Sequence, residues 1–145
     1  MDQRLSIITI GVANMGKSRA FYDALGWTVS NEAQAEEIIA YDLQNMTLAL
    51  YPLKKLEEDA NVTVTPSQYS SITIAYNVGS SDEVDAVLAQ VSSIGGELVK
   101  PAEKAFWGGY SGYFADPDGT LWEVAHNPFS TLGPKGEFQW NGVSN

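Results

Sequence analysis

Residues 113–128 read YFADPDGTLWEVAHNP. Tyr113, Phe114 and Ala115 have strand character. Asp116-Pro117-Asp118-Gly119 is a turn cluster, in which proline presets φ, aspartate bonds its own backbone and glycine tolerates a positive φ. Thr120 to Ala125 returns as a second strand, so the stretch predicts a β-hairpin. Its second strand carries Glu123 among apolar neighbours. A carboxylate in that position faces solvent, blunts a sheet edge, or serves a site.

Upstream of the hairpin the elements occur twice. Leu5 to Val12 reads as a strand, and Asn14 is the N-cap of a helix through Leu25 with Gly26 as its stop. Trp27 to Ser30, Ile38 to Asp42 and Thr47 to Tyr51 read as three further strands, the last two joined by residues 43–46. Residues 52–70 have mixed charge and two prolines, and read as a linker with a turn of helix at Leu53 to Asp59. Ser71 to Tyr76 is then a strand. Ser80 and Glu83 have capping-box spacing, and Val84, Val87, Leu88 and Val91 follow on one helical face. Gly95-Gly96 ends that helix, Glu97 to Lys100 is a short strand, and the hairpin completes the set.

The order β-α-β-β-β therefore repeats. Ile8-Thr9-Ile10 aligns with Ile72-Thr73-Ile74 at an offset of 64, and Thr47-Leu48-Ala49-Leu50 aligns with Thr120-Leu121-Trp122-Glu123 at an offset of 73. The organisation expected is a first module over 1–51, a linker over 52–70, a second module over 71–128 and a tail over 129–145. Neither module buries its sheet face alone, which makes the repeat more informative than any single motif. The fold class expected is α+β, two tandem β-α-β-β-β modules forming a curled-sheet half-barrel cleft.

The composition narrows the function. There are 8 Lys+Arg against 18 Asp+Glu, a net charge of −10. Such a surface disfavours nucleic acid and anionic membranes as partners, since both are polyanions. Cysteine is absent, which removes disulfides, thiolate nucleophiles and cysteine-ligated zinc or iron–sulfur centres. The N-terminus MDQRLSIITIGV has no export signal pattern, and no 18-residue apolar run occurs, so a cytoplasmic location is expected.

ITIGVANMGKSRAFYDALGW (8–27) and GYFADPDGTLWEVAHNP (112–128), set within a β-α-β-β-β repeat, resemble the vicinal oxygen chelate superfamily of glyoxalase I, bleomycin-resistance proteins and extradiol dioxygenases. The resemblance implies a small-molecule cleft, homodimers and, in some members, a metal held by His and Glu from the first and last strands of each module. Carried over, those positions fall on Ile7, Leu50, Ser71 and Glu123. Only Glu123 is a good donor, and a divalent transition metal wants three or four N, O or S ligands. His126, the single histidine, points away from Glu123 on an alternating strand. No metal and no cofactor are therefore expected.

The same alternation turns Ile7, Thr9, Leu48, Leu50, Ser71, Thr73, Leu121 and Glu123 toward the cleft, and Ile8, Ile10, Ile72, Ile74, Trp122 and Val124 toward the helices. The loop from Lys100 to Tyr113, rich in glycine and aromatic residues, is expected to rim it. The ligand-binding candidates are Thr9, Leu50, Ser71, Thr73, Trp107, Tyr110, Tyr113 and Glu123. Glu123 is also the single catalytic candidate, as a base whose apolar walls favour its protonated form. The reading is a metal-independent binder of a small cationic or aromatic molecule. The alternative is a glyoxalase-like lyase or dioxygenase, metal-dependent or using Glu123 as base. The apolar tail residues Phe129, Leu132, Phe138 and Trp140 lack a period that places them.

Overall fold

A computed structural model describes residues 1–44, 46–65 and 67–140. Asn45 in the connection between two expected strands, Pro66 in the expected linker and 141–145 in the expected tail lie outside the described residues. The chain divides into two compact units, Met1–Ser67 and Gln68–Asn145. Both are α+β, each with a small mixed sheet that is open at its edges rather than closed into a barrel.

The first unit contains β1 (Ile7–Val12), α1 (Met15–Ala24), a 3-10 turn (Glu32–Gln34), β2 (Ile39–Asp42), β3 (Thr47–Pro52) and α2 (Leu53–Ala60). Its sheet runs β1-β3-β2, with β1 and β3 parallel and β2 and β3 antiparallel. The Asn14 side chain accepts from the Lys17 N–H at 2.9 Å and starts α1. After α1, Gly26 takes φ +94° and turns the chain. Beneath α1 the core is Val12, Phe21, Tyr22, Ile39, Tyr41, Leu48 and Leu50. Tyr41 donates to Asp23 of α1 at 3.0 Å, which places the side chains of its strand face under that helix.

Trp27 to Ser30, expected as a strand, is not one. Side chains replace the backbone ladder there. Asn31 Oδ1 accepts from the Ala40 N–H and its Nδ2 donates to the Ile38 carbonyl, both at 2.8 Å. Ser30 Oγ accepts from the Asp42 N–H at 2.9 Å. One backbone bond remains, from the Ser30 N–H to the Ala40 carbonyl. Trp27 instead packs with Tyr22 and Tyr41, with ring centroids 5.4 and 5.7 Å away. The stretch expected as a linker carries α2, which lies against the sheet face opposite α1. A Cβ on Gly11 of β1 would stand 2.8 Å from the Leu53 side chain and 3.5 Å from that of Leu56.

The second unit contains β4 (Thr73–Asn77), α3 (Ser81–Ser93), β5 (Glu97–Lys104), β6 (Tyr110–Ala115) and β7 (Leu121–His126). The sheet order is β4-β7-β6-β5, parallel at β4–β7 and antiparallel elsewhere. Ser80 caps α3 by accepting from the Glu83 N–H, and the Glu83 carboxylate accepts in return from the Gly79 N–H. Val84, Leu88 and Val91 are the buried stripe of α3. They cover Phe114, Trp122 and Val124, and the Phe114 and Trp122 rings stack at 5.9 Å. The hairpin turn forms around buried Asp116, whose Oδ1 accepts from the N–H groups of Asp118 and Thr120, both at 2.9 Å. β5 runs four residues beyond its expected end at Lys100, and its pairing with β6 shifts register twice, between Leu98 and Lys100 and between Lys100 and Glu103. The expected rim is thereby shortened to the tip between Lys104 and Tyr110. Among the described residues no helix is long and apolar enough to cross a membrane.

Candidate functional site

The face of the second sheet that carries Glu123 follows from register. Glu123 lies between Ala75 of β4 and Tyr113 of β6, and Ala125 lies between Asn77 and Ser111. These residues share the face opposite α3, because a strand alternates its side chains. The Tyr113 hydroxyl donates to Glu123 Oε1 at 3.0 Å. Burial first, and then the Glu123 charge and hydrogen bond, push the Tyr113 phenol above its ordinary value. Tyr113 is thus held protonated as a donor. It is the one hydrogen-bond or ion-pair partner of Glu123 among the described residues.

A cavity of about 240 Å³ opens on this face, lined by Ala75, Asn77, Trp107, Glu123, Ala125, Asn127, Phe138 and Trp140. Its aromatic side is built by two devices. Trp107 folds back onto Gly109, where a Cβ would stand 1.8 Å from the indole ring, so only glycine leaves room for it. Phe138 and Trp140 are returned by the tail, which hydrogen-bonds to itself. Ser130 Oγ donates to the Gln139 carbonyl at 3.0 Å, and the Gly133 N–H donates to the Glu137 carbonyl at 2.9 Å. The Glu137 carboxyl, bonded by its own N–H and that of Lys135, is held below the usual carboxylate range. Phe138 and Trp140 meet edge to face at 6.5 Å, and Trp140 remains 83% exposed.

Of the expected ligand-binding residues, Trp107 and Glu123 line the cavity, and Tyr113 reaches it through Glu123. Thr73 stands on the same sheet face, one pleat before Ala75. Ser71 precedes β4 and is exposed. Tyr110 does not face the cavity: its side chain crosses to α3, where its hydroxyl donates to Asp85 at 3.0 Å. His126 points to the α3 side, with Nδ1 3.2 Å from the Val78 carbonyl. Thr9 is exposed on the first sheet, opposite the α1 core and beside Ala49.

Leu50 is a correction. It pairs with Ile39, two residues from Tyr41, and therefore shares the face bonded to α1. It is wholly buried, with 0% exposure. Leu48 is buried on the same face, so it does not turn toward the cleft either. The cause is turn length. Four residues (43–46) separate β2 from β3, whereas five (116–120) separate β6 from β7. The offset of 73 holds before the turn and becomes 74 after it. A one-residue slip moves every side chain to the other face. The counterpart of Glu123 in the first unit is Ala49.

Among the described residues no group of three or more His, Cys, Asp or Glu could hold a metal ion. Ile7, Ala49 and Ser71 contribute no carboxylate or imidazole.

Residues 4–124 match the Glyoxalase/Bleomycin resistance protein/Dioxygenase superfamily. The chain belongs to this superfamily. Among solved structures it resembles a glyoxalase-related enzyme from Fulvimarina pelagi, with 34% identity, TM-score 0.86, and 95% of this chain and 98% of that one covered. Hypothetical protein SA1046 from S. aureus shares 23% identity at TM-score 0.76, with 88% and 95% covered. A lactoylglutathione lyase from Agrobacterium tumefaciens shares the fold, at 17% identity and TM-score 0.66, with 88% and 96% covered. No curated protein matches the chain.

Asn77, Asn127, Phe138 and Trp140 line the cavity without having been expected there. The two asparagines were within reach of the alternation rule: Asn77 lies four residues after Thr73, and Asn127 four after Glu123. The two rings were not, because their position depends on hydrogen bonds within the tail.

Proposed function

We propose that this protein binds a small organic molecule on the Glu123 face of its second unit, without a metal ion, and holds it rather than converting it. The supporting observation is the cavity itself. It sets one carboxylate among indole, phenyl and small side chains, the usual make-up of a small-molecule pocket. The titratable group bonded to Glu123, Tyr113, stays protonated near neutrality and fixes the carboxylate in place.

A second reading draws support from the Fulvimarina pelagi relative, which is described as a glyoxalase-related enzyme. In it Glu123 takes a proton from bound substrate and Tyr113 orients the carboxylate. That reading requires turnover of the bound compound.

Metal retention separates this proposal from a metal-dependent lyase. Protein purified without chelator or histidine tag is incubated with Zn²⁺, Ni²⁺, Mn²⁺ or Fe²⁺, desalted, and subjected to elemental analysis. Every metal is expected well below one ion per chain. One tightly held ion per chain would overturn the metal-free assignment.

A further inference from the structure

We propose that the ligand of this pocket carries a methylated ammonium group, seated between the rings of Trp107, Phe138 and Trp140 and the carboxylate of Glu123. The proposal rests on the ligand-binding reading above and specifies its chemistry.

The first observation is an uncompensated charge. The ion pairs among the described residues are Arg4–Asp2, Arg19–Asp23, Arg19–Glu32 and Lys100–Glu103. None involves Glu123, whose partner is a neutral phenol. A half-buried carboxylate beside Ala75 and Ala125 gains most from a counter-charge that arrives with the ligand. The second observation is the arrangement of rings. Phe138 and Trp140 stand at 90° to each other, and Trp107 lines the same cavity. A compact cation meets more than one ring there, and indole gives the strongest cation–π attraction.

The predominance of rings and alanines in the lining favours a methylated over a bare ammonium. A primary ammonium brings three N–H donors, all of which must be satisfied. Asn127 Oδ1 already accepts from the Phe129 N–H at 2.9 Å. The acceptors left are the Glu123 carboxylate, Asn77 Oδ1 and the second lone pair of Asn127 Oδ1, and the other lining side chains are rings and alanines. A methylated ammonium presents carbon to those walls and leaves few donors or none unpaired. Size agrees, because about 240 Å³ is below the roughly 300–1,000 Å³ of drug-sized sites and suits a head group. The net charge of −10 draws cations toward the surface before contact.

The test compares choline with its uncharged carbon isostere, 3,3-dimethylbutan-1-ol, by tryptophan fluorescence and calorimetry. Choline is expected to bind about tenfold more tightly than the isostere. Glu123→Gln should erase most of that difference while the circular dichroism spectrum stays unchanged. Trp140→Ala should weaken choline, and Trp140→Phe should restore part of the loss. Equal affinity for the two probes, or saturable binding of neutral or anionic compounds without binding of choline, overturns the cation assignment and leaves the ligand-binding reading standing. One metal ion per chain, lost in Glu123→Gln, overturns both.

Discussion

Leu50→Ala is expected to destabilise the first unit by about 2–5 kcal/mol, the range for emptying a well-packed leucine site. Leu50 has no exposed surface and sits among Ile39, Tyr41 and Leu48 on the face bonded to α1. Neighbours fixed by the Tyr41–Asp23 hydrogen bond are poorly placed to collapse into the space left behind. Urea unfolding followed by circular dichroism reads the loss as a lower midpoint. A leucine in a ligand cleft would behave in the opposite way: stability would change little and ligand affinity would fall. That outcome would reverse the assignment of faces in the first sheet.

Gly119→Ala is expected to cost about 3 kcal/mol. Gly119 has φ +82°, a region that costs an L-residue about 1–2 kcal/mol. The added Cβ would also stand 2.4 Å from the Gln68 carbonyl oxygen. Relieving that contact moves the segment whose Ser70 N–H donates to the Gly119 carbonyl and whose Ser70 Oγ accepts from the Leu121 N–H. Gly26→Ala is the control. Gly26 has φ +94° and nothing within 4 Å of a Cβ, so it should pay the backbone cost alone. Thermal unfolding of both variants isolates the clash as their difference. Equal losses would mean that residues 68–70 do not pack against the turn.

The hairpin that opens at Tyr113 was legible because its chemistry is local. Asp116 and Gly119 meet the demands of the turn with their own side chain and backbone freedom. The helix starts at Asn14 and Ser80 were legible for the same reason. The face of β3 was not, since it depends on one residue of turn length that no periodicity within the strand reports. The first-strand alignment survived its own slip. Pairing sets Thr9 beside Ala49 and Ala75 beside Glu123, an offset of 66 rather than 64, and an even error preserves the face. Trp27 to Ser30 was expected as a strand, but Asn31 and Ser30 side chains take up the hydrogen bonds to residues 38–42 instead. Tyr110 illustrates a further limit: an aromatic in a glycine-rich stretch can turn to either face of its strand, and its bond to Asp85 lies on the α3 side.

The most direct test of the Glu123 face as the ligand site is a ¹H–¹⁵N correlation spectrum, recorded with and without a compound selected by thermal shift. The largest changes are expected at Ala75, Asn77, Glu123, Ala125 and Asn127 and at the indole N–H groups of Trp107 and Trp140. Changes confined to the first unit, with those resonances unmoved, would contradict the assignment.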